Sequence, residues 1–167
     1  NIVSAAIFGD GAAAILLSSC PEDEGPEIIA EEMYHFYDAE YMMGFKLTNT
    51  GLQMILDETV PETISAHFPN IVHPFLKKNN SNIDEISHLI FHPVGRKIVQ
   101  TVEELFGSLA THIDDTREVL KQYGNMSSVT VLYVLERFLE RDIPKGDKGL
   151  MLSFGPGFSA QSILLQW

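Results

Sequence analysis

Two residues, His92 and Asn125, carry side chains that could act together in chemistry. Asn125 lies in the segment YGNMSS at residues 123–128, and His92 ends the apolar run HLIFH at residues 88–92. A carboxamide in a tight connection can either stabilise the turn or donate a hydrogen bond into a cavity. Taken singly, an asparagine in a turn and a histidine at a strand end are both commonly structural. Their combination favours a functional site.

The segments on both sides of Asn125 determine how it is presented. Residues 116–123 have apolar positions at helical spacings, and Gly124 is suited to end that helix in a left-handed conformation. A serine at position 127 or 128 can cap the next helix, residues 129 to about 140, whose apolar face is core material. Asn125 is therefore expected in a tight connection at the start of a buried helix.

The run that ends in His92 predicts a strand. Such a strand delivers the imidazole to its carboxyl end, which is where α/β sheets place their sites. Pro93 and Gly95 follow and shape the chain where it leaves the strand. The His92 ring is therefore expected to project from the strand end rather than pack into the core. A helix is predicted from residue 96 to about residue 106.

Four motifs occur in an order that resembles a known family. They are FGDGAAA at residues 8–14, HPVG at residues 92–95, GNMSS at residues 124–128 and FGPGF at residues 154–158. Together they resemble the C-terminal half of type III polyketide synthases, the chalcone synthase-like members of the thiolase superfamily. Ketoacyl-acyl carrier protein synthase III enzymes also carry a histidine and a Gly-Asn turn. The Met-Ser-Ser and Phe-Gly-Pro-Gly sequences favour the polyketide branch.

The resemblance implies a Cys-His-Asn triad, of which His92 and Asn125 are two members. Decarboxylation of a malonyl thioester places negative charge on the thioester oxygen, and two fixed donors would stabilise that enolate. One donor of this kind is typically worth roughly 3 kcal/mol of barrier. The histidine is also expected to hold the cysteine as a thiolate. The substrates implied are acyl-CoA and malonyl-CoA, without cofactor or carrier protein, in a homodimer.

Cys20 is the single cysteine of the chain, and its surroundings do not suit a nucleophile. It precedes the acidic stretch EDEG at residues 22–25, with no cation nearby in the sequence. In the resembled family the catalytic cysteine belongs to the N-terminal half. We therefore expect the chain to be half an enzyme, with the N-terminal half as its partner and no activity alone.

Composition and charge limit the kinds of partner that this chain can bind. The 167 residues carry a net charge of −12, and no Lys or Arg precedes Lys46. Such a surface repels nucleic acid and anionic membranes and is a poor dock for coenzyme A phosphates, which we expect the other half to bind. A single cysteine, no apolar run of about 18 residues and no signal-peptide pattern indicate the cytoplasm.

The predicted fold is an α/β, thiolase-like half with a five-stranded mixed sheet flanked by helices. Residues 1–20, with a buried strand over residues 12–18, resemble the terminal strand of the N-terminal half, and residues 21–167 the C-terminal domain. Further predicted elements are strands at residues 27–37, 44–47 and 51–56, a helix from residue 59 to about 78, and antiparallel strands at residues 149–154 and 159–165.

Two groups of residues are expected around the cavity in which a polyketide would grow. By resemblance, Phe45 and Met54 line it, near positions where plant members often have glycine and phenylalanine, and these departures argue against a chalcone-type starter. A loop expected to close over the active site comprises Gly155, Pro156, Gly157 and Phe158. The alternative interpretation of Phe45 and Met54 is core packing, whereas the loop is expected to be a tight hairpin in either case, because the turn itself requires the glycines.

Metal binding and two other functions are the alternatives to this prediction. His67 and His73 are six positions apart, not the three or four of a helical metal pair, and we predict no metal. A ketoacyl synthase III-like enzyme of fatty acid synthesis would take malonyl groups from acyl carrier protein. A non-catalytic module would keep the thiolase fold for binding or assembly.

Overall fold

The computed structural model describes residues 6–20, 22–107 and 113–167. Six strands and four helices of eleven residues or more are assigned among them, besides shorter helical turns. They are β1 (Glu27–His35), β2 (Met43–Thr48), β3 (Gly51–Leu56), α1 (Val60–Lys78), β4 (Ile86–Phe91), α2 (Arg96–Phe106), α3 (Ile113–Tyr123), α4 (Ser128–Leu139), β5 (Lys148–Gly155) and β6 (Ser159–Gln166). The predicted positions of α1 to α4 and of the β5–β6 pair are confirmed.

The sheet of the described chain is mixed but has four strands, in the order β1-β6-β5-β4. β4 and β5 are parallel, whereas the other neighbours are antiparallel. The prediction of a five-stranded sheet is wrong: the main sheet has four strands, and β2 and β3 pair with each other in a separate two-stranded sheet. Their connection is only two residues long, so each strand satisfies the other's backbone groups locally.

The apolar run at residues 12–18 does not form the expected buried strand. Residues 9–20 have no regular structure, and Leu16 is 93% exposed. A strand needs a partner edge, and this run pairs with neither β1 nor β4, the outer strands of the sheet. The assignment of residues 1–20 to an N-terminal thiolase half stays a prediction.

Helices cover both faces of the sheet. One apolar cluster joins α1 and α2 to the face that carries Leu89 and Phe91, and another joins α4 to the face that carries Ile90. Because this part of β4 is buried on both sides, residues 89–91 form a continuous apolar run rather than an alternating one. This burial fixes the strand whose carboxyl end bears His92. No helix in the described ranges is long and apolar enough to cross a membrane.

Candidate active site

His92 directly follows the last residue of β4, as predicted from the apolar run. Its N–H donates to the carbonyl of Leu152 on β5 at 3.0 Å, which extends the parallel ladder by one residue. The side chain lies inside the protein, with 6% of the residue exposed. Gly95 stands at the N-terminal cap of α2, so the chain turns away from the sheet within three residues of His92.

The imidazole of His92 is buried, and this burial lowers its pKa to about 4. Taking a charged ring out of water is costly, so the neutral form is favoured. Its Nδ1 atom is buried and has no hydrogen-bond partner in the described part of the chain. At neutral pH the residue is therefore an uncharged imidazole, with one nitrogen that can donate and one that can accept.

Asn125 lies in the turn between α3 and α4, and the residue is 2% exposed. Gly124 ends α3 with φ of +73°, the left-handed conformation predicted for it. The carboxamide Oδ1 of Asn125 accepts the N–H of Ser127 at 2.8 Å. The turn is thereby closed by the side chain of the residue that is the candidate donor.

The expected serine cap of α4 is not formed. Ser127 occupies the N-cap position, but its side chain makes no capping hydrogen bond. The amide of Thr130, which a cap would satisfy, donates instead to the main-chain carbonyl of Ser127 at 3.0 Å. The hydroxyl of Thr130 in turn accepts the amide of Met126 at 2.8 Å. Ser127 therefore shapes the turn with its backbone, at φ of +59°.

A hydrogen bond joins Asn125 to the segment that follows His92. The Nδ2 atom of Asn125 donates to the carbonyl of Val94, two residues after His92, at 3.2 Å. An amide NH₂ group has two hydrogens, and this bond uses one of them. Asn125 is thus held against the loop that leaves His92, with one hydrogen left to donate. Both residues lie in buried surroundings at the carboxyl end of β4.

Thr116 supports this site and could not be identified from the sequence. It lies on α3, is fully buried, and its hydroxyl donates to the carbonyl of Phe91 at 3.1 Å. Phe91 is the residue immediately before His92. The sequence places Thr116 three positions before Val119 on the inner face of a helix, but nothing in that spacing says which carbonyl its hydroxyl reaches.

The loop between β5 and β6 is a tight hairpin, as the sequence predicts. Gly157 and Phe158 both have positive φ, +76° and +44°. The N–H of Gly157 donates to the carbonyl of Met43 at 2.9 Å. Phe158 is fully buried, and its ring stacks on that of Phe36 with centroids 4.0 Å apart. The hairpin thus packs against the end of β1 and the start of β2, while Pro156 and Gly157 stay exposed.

Phe45 and Met54 occupy directly opposed positions in the β2–β3 register. Phe45 is 54% exposed and Met54 is half-buried. Through Met43 this β2–β3 hairpin is bonded to the loop at Gly157. The contacts therefore form two groups: Asn125 is bonded to the segment that follows His92, and the β2–β3 hairpin is bonded to the β5–β6 loop.

The described side chains include no group of three or more His, Cys, Asp or Glu that could hold a metal ion. Cys20 is exposed. The chemistry available at the site is hydrogen-bond donation by the buried imidazole and carboxamide, and proton exchange by the imidazole alone. Donors of this kind, fixed at the edge of an α/β sheet, are typical of enzymes that stabilise an oxyanion during acyl transfer.

The chain belongs to the chalcone and stilbene synthase family, whose C-terminal domain model matches residues 29–167. It is 32% identical to 1,3,6,8-tetrahydroxynaphthalene synthase of Streptomyces peucetius subsp. caesius, over 100% of this chain and 46% of that protein. It is 29% identical to a putative chalcone synthase of Bacillus subtilis, over 100% of this chain and 48% of that protein. The chain spans about half the length of these curated relatives.

Solved structures agree with this assignment. The crystal structure of PKS-I from the brown alga Ectocarpus siliculosus matches with a TM-score of 0.78 and 28% identity, over 89% of this chain and 41% of that one. That of 1,3,6,8-tetrahydroxynaphthalene synthase from Streptomyces coelicolor, a bacterial type III polyketide synthase, matches with a TM-score of 0.77 and 26% identity, over 86% and 41%. The thiolase-like fold and the type III polyketide synthase resemblance are confirmed.

Proposed function

We propose that this chain is the C-terminal half of a type III polyketide synthase that condenses malonyl-CoA with an acyl-CoA starter. The observation that carries the proposal is the hydrogen bond from the Asn125 carboxamide to the carbonyl of Val94, which holds Asn125 beside the exit from His92. Both side chains are buried, and each has hydrogen-bonding capacity to offer a substrate oxygen.

The reaction assigns a role to each residue. Loss of CO₂ from the malonyl thioester leaves its bonding electrons in an enolate, whose oxygen would accept hydrogen bonds from His92 and Asn125. The enolate carbon then attacks the thioester carbonyl of the acyl group held on a cysteine, and the cysteine thiolate leaves. That cysteine belongs to the N-terminal half of the enzyme in this proposal, since Cys20 is exposed and far in sequence from both donors.

The low pKa of His92 suits the decarboxylation step. A neutral imidazole can donate to the developing enolate while its other nitrogen accepts a hydrogen bond. A thiolate brought beside the ring would favour the protonated form and raise its pKa. We therefore expect His92 to be neutral in this chain and to gain a proton only beside the nucleophile.

Charge supports a division of labour between the two halves. The net charge of −12 and the absence of Lys and Arg before Lys46 make this half unsuited to coenzyme A phosphates. The other half would supply those contacts, and the whole enzyme would be a homodimer that needs no carrier protein. In this proposal the 167-residue chain alone is inactive.

The experiment compares two malonyl donors on the full-length enzyme that contains this chain. Release of CO₂ and formation of polyketide are measured with malonyl-CoA and with malonyl-acyl carrier protein. Turnover of malonyl-CoA alone supports the proposal, and turnover that requires the carrier protein would assign the enzyme to fatty acid condensation. Absence of both reactions would favour a non-catalytic module. Turnover by the purified 167-residue chain would contradict the division between two halves.

A further inference from the structure

The segment at residues 7–9 runs directly beside the Asn125 turn. The N–H of Asn125 donates to the carbonyl of Ile7 at 2.8 Å, and the N–H of Gly9 donates to the carbonyl of Asn125 at 3.1 Å. Phe8 and Asn125 thereby form an isolated parallel bridge. Both backbone polar groups of Asn125 are bonded to this segment, whereas both ends of its carboxamide are bonded to Ser127 and Val94.

Glycine is required on both sides of this contact. A Cβ atom at Gly9 would lie 2.1 Å from the carbonyl oxygen of Tyr123, and one at Gly124 would lie 2.6 Å from the carbonyl oxygen of Ile7. Both obstacles are backbone atoms, which cannot rotate away. Any side chain at either position would push the two segments apart and break the hydrogen bonds between them.

Gly11, two positions after Gly9, differs in the kind of atom that an added Cβ would meet. A Cβ at Gly11 would meet the side chain of Met126, with Sδ at 2.3 Å. An unbranched thioether chain has rotatable bonds and can adapt. The anchored stretch ends near Ala12, whose carbonyl accepts a hydrogen bond from the hydroxyl of Tyr133 at 3.4 Å. Residues 13–20 beyond it are exposed.

We propose that the Ile7-Phe8-Gly9 segment is a backbone clamp that sets the position of the Asn125 carboxamide, with Gly9 as a positioning residue. The clamp fixes the main chain of Asn125, and the main chain fixes where Nδ2 points. This role rests on the proposed function of Asn125 as a donor. The clamp gives a physical reason for the FGDG sequence at residues 8–11, because the proposed reaction itself assigns no role to any residue of that sequence.

The clamp is tested first in the unmodified chain, without any assay of activity. Hydrogen exchange followed by ¹H–¹⁵N NMR should show the amides of Asn125 and Gly9 exchanging at least about tenfold more slowly than amides in residues 13–20. Equal exchange rates would overturn the clamp. This result does not depend on whether the chain is part of an enzyme.

Three glycine-to-alanine variants then distinguish loss of the clamp from a general loss of stability. Gly9→Ala should abolish the slow exchange of the Asn125 amide. Gly11→Ala should change it less, because Met126 can move. Gly44→Ala adds the same methyl where the nearest atom is the Glu40 carbonyl oxygen at 3.8 Å, an ordinary contact, and should leave it unchanged. Slow Asn125 exchange in a folded Gly9→Ala protein would refute the clamp.

The positioning role is tested in the full-length enzyme. Misplacing a donor by about 1 Å can cost about a hundredfold in rate, so Gly9→Ala should lower kcat for malonyl-CoA decarboxylation with little change in KM. Its effect should largely vanish when added to Asn125→Ala, because the group it positions is already gone. Full additivity of the two changes would refute positioning. An inactive wild-type enzyme would instead refute the proposed function and leave the exchange result standing.

Discussion

The burial of His92 makes a quantitative prediction about stability and pH. Its pKa in the folded chain is about 4, below the ordinary value of 6.5, because the buried ring resists charge. Between these values the unfolded chain binds the proton and the folded chain does not. The buried His92 therefore does not lower the free energy of unfolding above pH 6.5, and it lowers this free energy increasingly as the pH falls from 6.5 toward 4.

The size of the effect follows from the separation of the two pKa values. At about 1.4 kcal/mol per pKa unit, the full difference corresponds to about 3 kcal/mol. Near pH 5, where the unfolded residue is almost fully protonated and the folded one is not, the cost is about 2 kcal/mol. That is a large part of the total stability of an ordinary domain.

The assay is urea unfolding of the wild-type chain and of His92→Gln at several pH values between 7.5 and 5. Carboxylates with lowered pKa, such as Asp57 and Glu85, also reduce stability in acid, but they are present in both proteins. The wild type should lose about 2 kcal/mol more than the variant across this range. Parallel pH profiles would refute the claim that the buried imidazole stays neutral.

Two further predictions concern the elements around the site. Thr116→Val should leave the Phe91 carbonyl without its hydroxyl donor and lower the free energy of unfolding by about 1–3 kcal/mol. Thr116→Ser is the control, because it keeps the hydroxyl. A loss of stability of equal size in both variants would contradict this prediction. Phe36→Leu should remove the ring stacked on Phe158 and speed hydrogen exchange at the Gly157 amide. Unchanged exchange at that amide would show that the stacking does not hold the loop.

Elements with local signals were predictable from the sequence. Residues 89–91 of β4 form a continuous apolar run because helices cover both faces of the strand there, and α3 ends at Gly124 because a left-handed residue closes that turn. These rules act within a few residues. They were sufficient to place His92 at a strand end and Asn125 in a tight turn.

Features that depend on distant parts of the chain were not predictable. The apolar run at residues 12–18 has the composition of a buried strand, yet strand formation depends on a partner edge that composition does not report. β2 and β3 likewise pair with each other in a separate two-stranded sheet, and neither strand's own sequence reports that choice of partner. The contact of Asn125 with Val94 joins positions 31 apart, and no spacing in the sequence specifies it.

Substitution of the Asn125 carboxamide tests the central claim most directly. In the full-length enzyme, Asn125→Ala should lower kcat for malonyl-CoA decarboxylation by about 10²–10³-fold, the usual cost of removing one oxyanion donor. Ser127→Ala is the matched control in the same turn, because that side chain makes no capping hydrogen bond, and it should retain activity. Wild-type rates of decarboxylation in Asn125→Ala would contradict the assignment of this site.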